Sequence, residues 1–205
     1  MQVKVKICGI TNLDDAIAAV NFGADALGFV FFRESPRYVP DSRAASIIKR
    51  LPSFITTVGV FVNEQPEHIE NIIATTGIDV VQLHGAESPE ECRLARRVIK
   101  AVRVDTLESL DPLISYSEFV SAFLLDTFSS RLFGGTGKIF NWDIAVEAKQ
   151  FGRIILAGGL TPENIAEAVR RVRPYGVDVS SGIEFEQARK DHKKMQLFIE
   201  RAKAT

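Results

Sequence analysis

Only two cysteines occur in the 205 residues, Cys8 and Cys92, and they stand far apart in the chain. There is no CxxC pair and no His/Cys cluster, so the pattern offers no metal site and none is expected. Two lone thiols without a secretory leader suit a reducing, cytoplasmic setting. The opening stretch alternates Lys with Val and lacks the apolar core of a signal peptide. No apolar run approaches the ~20 residues of a membrane helix, so no membrane partner is expected. A surplus of one charge is also missing: 25 Lys and Arg stand against 26 Asp and Glu, a net charge of −1. Without a basic surplus there is no bulk electrostatic case for nucleic acid. Linkers and composition breaks are lacking too, which points to one domain over residues 1–205.

What the chain does contain is alternation. Short β-rich runs at Val3–Cys8, Ala26–Phe31, Thr57–Val62, Val80–His84, Val98–Arg103, Ala122–Asp126, Ile154–Ala157 and Val177–Ser180 read as strands. Each is followed by a helix-like segment, at Leu13–Phe22, Ser42–Leu51, Glu67–Thr76, Pro89–Arg97, Leu107–Tyr116, Trp142–Gln150, Pro162–Arg173 and His192–Ala202. Asn12 and Thr161 are placed as helix caps, Asp41 precedes a polar–apolar run, and Pro66, Pro89 and Pro162 sit at or near first helical positions. Eight βα units in this length predict an α/β fold, a single (β/α)8 barrel. The competitor, an open doubly wound sheet, usually has fewer strands and a Gly-rich turn after the first; here the turn reads CGITN. The long polar connections FRESPRYVP and TFSSRLFGGTGKIFN follow strands two and six, where barrel active sites are built.

Side chains alternate across a strand with period two. In the first strand Val3, Val5 and Ile7 share one face and Lys4, Lys6 and Cys8 the other. The apolar face is expected to pack on helices, which turns Lys6 and Cys8 toward the barrel axis. The same parity turns Gln82 and His84 inward on strand four, Asp126 on strand six, and Asp178 and Ser180 on strand eight, with Arg103 joining from strand five. Burying so many polar groups costs several kcal/mol unless each is paired or solvated, so a ligand pocket is the economical account.

KICGIT, GFVFFRESPRYV, VGVFVN, VQLHG, LLDT, GGTGK, AGGLTPENI and DVSSGIE follow one another along the whole chain. Together they closely resemble the phosphoribosylanthranilate isomerase family of tryptophan biosynthesis. The resemblance implies a (β/α)8 barrel that uses no metal or organic cofactor. It implies an Amadori rearrangement of N-(5-phosphoribosyl)anthranilate, an aminoaldose, to the aminoketose 1-(2-carboxyphenylamino)-1-deoxyribulose 5-phosphate. Two stretches depart from the family pattern: Asn141 stands before Trp142 where Asp is common, and Glu186–Asp191 lacks the usual Pro-Gly pair.

Carried over residue by residue, the resemblance makes Cys8 the general base and Asp126 the general acid. Asp126 then needs a raised pKa, for which Leu124 and Phe128 offer an apolar wall; Cys8 needs nearby positive charge. Lys6 is expected either to supply it or to pair with Asp178 across the closing strands. Arg37 is the expected grip on the anthranilate carboxylate. Gly158, Gly159, Ser180, Ser181 and Gly182, in the loops after strands seven and eight, are the expected phosphate site. Gln82 and His84 are expected to shape the sugar site, with a purely structural His84 as the alternative. The partner is thus a small phosphoribosyl substrate, and the assembly a monomer or homodimer, with Phe31, Phe32 and Phe54 as interface residues or barrel caps. Cys92 reads as helix packing, His68 and His192 as surface residues, and Arg189–Lys194 as a solvated basic face.

Two other functions compete. One is the related isomerase of histidine biosynthesis, which carries aspartate where Cys8 stands and shows a doubled half-barrel sequence. The other is a catalytically silent barrel that binds a phosphorylated metabolite.

Overall fold

The computed structural model describes residues 2–127 and 142–205. Its strands are β1 Lys4–Cys8, β2 Ala26–Val30, β3 Thr56–Phe61, β4 Val80–Leu83, β5 Arg97–Val104, β6 Ala122–Thr127, β7 Ile154–Leu156 and β8 Gly176–Val179. They are all parallel and close into a barrel in sequence order, with β8 pairing back onto β1. Parity sorts the side chains into two layers. Val5, Ile7, Leu27, Phe29, Val81 and Leu83 face outward into the shell shared with the helices. Val58, Val80, Ile99, Ala101, Ala122, Leu124, Ile155 and Ala157 fill the axis. Each large apolar side chain so buried contributes about 1.5–3 kcal/mol.

The helices are α1 Leu13–Asn21, α2 Asp41–Ile48, α3 Pro66–Thr76, α4 Leu113–Tyr116, α5 Trp142–Glu147, α6 Ile165–Val172 and α7 His192–Lys203. Asn12 caps α1, its side chain accepting from the Asp15 N–H, and Asp191 caps α7 in the same way. Thr161 does not cap α6: the helix begins later, behind Asn164, whose side chain accepts from the Thr161 N–H. The helix expected over Leu107–Tyr116 is split into a 3-10 turn, Leu107–Leu110, and α4, because Pro112 between them lacks an N–H.

The helix expected over Pro89–Arg97 does not form; only a 3-10 turn, Glu90–Cys92, precedes β5. Its place is taken by a buried ion pair. Lys100 points outward from β5 and donates to Glu87 Oε2 at 2.9 Å and to the Gly85 carbonyl at 2.7 Å. Glu87 accepts in turn from the Asn63 and Gly85 N–H groups. This clasp pulls the loop onto the barrel immediately after His84. Lys100→Met leaves the Glu87 carboxylate buried and unpaired. It should lower the free energy of unfolding in urea by about 3 kcal/mol, with partial recovery in the Glu87→Gln/Lys100→Met double variant.

A second departure lies beyond β8. The 3-10 turn Ser181–Ile183 leads into a two-stranded hairpin, β9 Glu184–Glu186 and β10 Arg189–Lys190. Nothing in its alternation announced it, since Ala188 makes the turn with φ 64° in place of a Gly. Phe31 is buried in the shell shared with the helices, where it stacks on Phe61 with ring centroids 5.2 Å apart; Phe32 packs over the Cys8 cluster, and Phe54 is fully exposed.

Candidate active site

At the C-terminal end of β1, Cys8 packs inward against Val30 and Val60, with Phe32 over them. Gly28, its register partner on β2, makes room for it: a Cβ there would lie 2.8 Å from Cys8 Sγ and 3.1 Å from Lys6 Nζ. Lys6, one layer below, donates to Asp178 Oδ1 at 2.8 Å across the β1–β8 seam, with both side chains nearly enclosed. Burial works against the Lys6 charge, but attraction to Asp178 outweighs it and holds the ammonium well above the ordinary lysine value.

The thiol does not start out activated. Burial pushes Cys8 above its ordinary value; Lys6 opposes this, Asp178 adds to it, and Lys190 opposes it again. The expectation that cations would lower this thiol therefore meets a stronger opposing effect, the loss of water around an 8% exposed side chain.

Across the mouth, Gln82, His84 and Asp126 form a chain. Gln82 Nε2 lies 3.1 Å from His84 Nδ1, and His84 Nε2 lies 3.3 Å from Asp126 Oδ2. Gln82 is buried while His84 and Asp126 are partly open, so the chain runs from the core to the pocket. Leu124 lies fully buried beneath Asp126; Phe128, the other expected wall, is outside the described residues. Arg103 pairs in register with Asp126 and is exposed at the rim.

Arg37 leaves the loop between β2 and α2 and meets Glu184. Its Nε donates to Oε1 at 2.8 Å and its Nη2 to Oε2 at 2.7 Å. The fork fixes the guanidinium plane and leaves Nη1 for another acceptor. The hydrogen bonds to Glu184 raise the Arg37 pKa further, so it stays charged. For Glu184, burial favours the neutral acid, but hydrogen bonds from Arg37 and Lys190 outweigh it and hold the carboxyl low.

Gly158 and Gly159 follow β7 with φ 75° and 65°, a left-handed pair that turns the backbone sharply. Ser180, Ser181 and Gly182 follow β8, and a Cβ on Gly182 would collide with the Leu160 carbonyl oxygen. The two loops are thus in contact at one side of the mouth. Ser180 Oγ and Gln82 Oε1 are enclosed without a hydrogen-bond partner among the described residues, which leaves both available to a bound molecule.

The candidate residues therefore gather in three groups: Lys6, Cys8, Asp178 and Arg37; Gln82, His84 and Asp126; and the paired loops. Sequence reasoning missed Glu184 and Lys190. Lys190 falls in the supposedly solvated run Arg189–Lys194 but is 2% exposed; its lone signal was an interrupted basic run before a helix cap. His192 also departs from a plain surface role, since its Nε2 lies 2.8 Å from Asp15 Oδ1. Cys92 is buried under the 3-10 turn, and burial pushes its thiol up to about 11. No three His, Cys, Asp or Glu converge as metal ligands among the described residues. No helix among them is long and apolar enough to cross a membrane.

Comparison with known proteins bears directly on this mouth. The family described as N-(5′-phosphoribosyl)anthranilate (PRA) isomerase matches residues 5–201. The N-(5′-phosphoribosyl)anthranilate isomerase of Geobacter metallireducens is 57% identical over 204 residues, 99% of this chain and 100% of that one. The crystal structure of the phosphoribosylanthranilate isomerase from Thermotoga maritima superposes with a TM-score of 0.92 at 45% identity, covering 99% and 100% of the two chains. A phosphoribosylanthranilate isomerase in complex with reduced 1-(o-carboxyphenylamino)-1-deoxyribulose 5-phosphate superposes with a TM-score of 0.90 at 43% identity, with the same coverage.

Proposed function

The chain belongs to the N-(5′-phosphoribosyl)anthranilate isomerase family, and on that premise we propose that Cys8 and Asp126 divide its proton transfers as base and acid. The activity is the isomerisation of phosphoribosylanthranilate in tryptophan biosynthesis. One observation carries the division of labour: a thiol ending β1 and a carboxyl on β6 both face inward at the same mouth, with two strands, β7 and β8, between them around the closed barrel. The histidine-pathway and binding-only alternatives lack an equivalent warrant in these residues.

Asp126 protonates the furanose ring oxygen. The C1′–O bond breaks as the aniline nitrogen donates its lone pair, giving an open-chain iminium ion. Cys8 thiolate removes the C2′ proton, and the C–H electrons form C1′=C2′ while the π electrons return to nitrogen. The resulting enolamine then shifts its enol proton to C1′ and becomes the ketone. The substrate nitrogen is its own electron sink, so no organic cofactor is needed.

Arg37, held by Glu184, is assigned to the anthranilate carboxylate. Lys6, Asp178, Gln82 and His84 are assigned to the sugar. Gly158, Gly159, Ser180, Ser181 and Gly182 are assigned to the phosphate, through backbone N–H groups and the unpartnered Ser180 hydroxyl. The reading sets this work in the cytoplasm, by one domain spanning residues 1–205, as a monomer or homodimer.

The test is an anthranilate-type fluorescence assay with phosphoribosylanthranilate made in situ. Purified protein should accelerate loss of the substrate signal in proportion to its concentration. Decay at the spontaneous rate would sink the reading.

A further inference from the structure

Four charged groups act on the Cys8 thiol, Lys6, Asp178, Arg37 and Lys190, and a fifth, Glu184, holds two of them. Lys6 comes from β1, Asp178 from β8, Arg37 from the loop after β2, Glu184 from β9 and Lys190 from β10. Lys6, Lys190 and Arg37 bring three positive charges and Asp178 and Glu184 two negative ones, a formal balance of +1 before the thiol ionises. A thiolate brings the cluster to zero.

Lys190 is the unexpected member. Its side chain is 0% exposed, and burial pushes its ammonium below the ordinary lysine value while the hydrogen bond and charge of Glu184 oppose that loss. Nζ donates to Glu184 Oε1 at 2.9 Å and to the Ser180 carbonyl at 3.1 Å. An apolar chain would fill this space without the cost of stripping an ammonium of water, so packing alone does not account for it. The backbone on either side is pinned as well. Thr11 Oγ1 donates to the Ala188 carbonyl at 3.0 Å, and the Lys190 N–H donates to Asp15 Oδ2 at 3.2 Å. The Ser180 that Lys190 holds packs against Gly9, the residue after Cys8, where a Cβ would come 3.1 Å from Ser180 Oγ, so the hairpin carries its charge to the end of β1 beside the thiol.

We propose that Lys190 is a positioning residue whose buried charge, anchored by Glu184, favours the thiolate of Cys8. The inference rests on the reading of Cys8 as the base, and gives the thiol an electrostatic support that Lys6, already committed to Asp178, supplies only in part. Glu184 serves two cations at once: Oε1 accepts from both Arg37 Nε and Lys190 Nζ. One carboxylate thus ties the arginine assigned to the substrate carboxylate to the lysine beside the base.

The test follows the ionisation of Cys8 by thiolate absorbance near 240 nm across pH, with Cys8→Ser as the reference. Lys190→Met should raise the midpoint by about one pH unit, and Lys190→Arg should restore it. Glu184→Gln, which deletes a negative charge, should lower the midpoint. A purely structural role predicts that both neutral variants move it in the same direction or not at all, and either result overturns the proposal. Should Lys190→Met fail to fold, the sign of the Glu184→Gln displacement decides alone. The acid limb of kcat/KM is read alongside. If the absorbance midpoints move with opposite signs while kcat/KM stays put, the electrostatic proposal stands and the assignment of Cys8 as base falls.

Discussion

Cys8→Ala should lower kcat between about 10²- and 10⁴-fold, about 3–5 kcal/mol of barrier, while KM stays within about 3-fold. Cys8 supplies a base, and the substrate's anionic ends are assigned to Arg37 and the β7 and β8 loops, so affinity survives its loss. The pH profile gives a sharper test. Burial holds the thiol above its ordinary value, so at neutral pH the thiol form predominates. The base works only as thiolate. Therefore the rate of Cys8 alkylation by iodoacetamide should climb as pH rises through neutrality and level off only beyond the ordinary thiol range, whereas kcat/KM, which also needs Asp126 protonated, climbs only while that carboxyl holds its proton. A thiolate that is hard to form is also a strong base once formed, which suits removal of a carbon-bound proton. Cys8→Asp places there a group ionised at much lower pH, and whatever activity it retains should lose the alkaline climb. An alkylation rate that stays flat between about pH 6 and 9 would contradict a thiol held protonated by burial.

Why was the barrel legible in the sequence and the charge cluster not? Strand parity is a local rule, and it holds wherever both faces of a strand are enclosed. Val5 and Ile7 against Lys6 and Cys8 in six residues already separate the helix-facing side from the axis. The closing β1–β8 pair also follows, because eight βα units leave the last strand beside the first, and Lys6 opposite Asp178 is the result. Helix existence was less secure where tertiary bonds compete. Over Pro89–Arg97 the pattern suggests a helix, but the Lys100–Glu87 clasp draws that loop onto the barrel and only a 3-10 turn forms. No local rule links residues 13 apart through a buried ammonium. The hairpin after β8 failed for a related reason. Arg189–Lys194 reads as solvated because charged residues usually are. Lys190 is buried only because Glu184, six residues earlier, and the Ser180 carbonyl converge on it in three dimensions. Arg37 was legible as a cation at the mouth, while its partner Glu184 lies 147 residues away.

Asp126→Asn should also lower kcat between about 10²- and 10⁴-fold, by a different route. The amide is close to isosteric and can keep a contact with His84, 3.3 Å from Asp126 Oδ2, so the pocket should retain its shape. What it loses is a proton to give to the ring oxygen, and without that proton the leaving alkoxide must depart unaided. The loss therefore falls on ring opening, before Cys8 can act. This separates the variant from Cys8→Ala in two ways. Reduced 1-(o-carboxyphenylamino)-1-deoxyribulose 5-phosphate, an acyclic molecule bound by a 43% identical relative, has no ring oxygen to protonate. Its Kd for Asp126→Asn should match wild type within about 3-fold, because the groups assigned to its phosphate and carboxylate are untouched. In addition, deuterium at C2′ should slow wild-type or Cys8-limited turnover but lose its effect in Asp126→Asn, where C–H cleavage follows the slow step. An isotope effect that persists undiminished in Asp126→Asn would put the carboxyl in the same step as the thiol, and the division between acid and base would have to be redrawn.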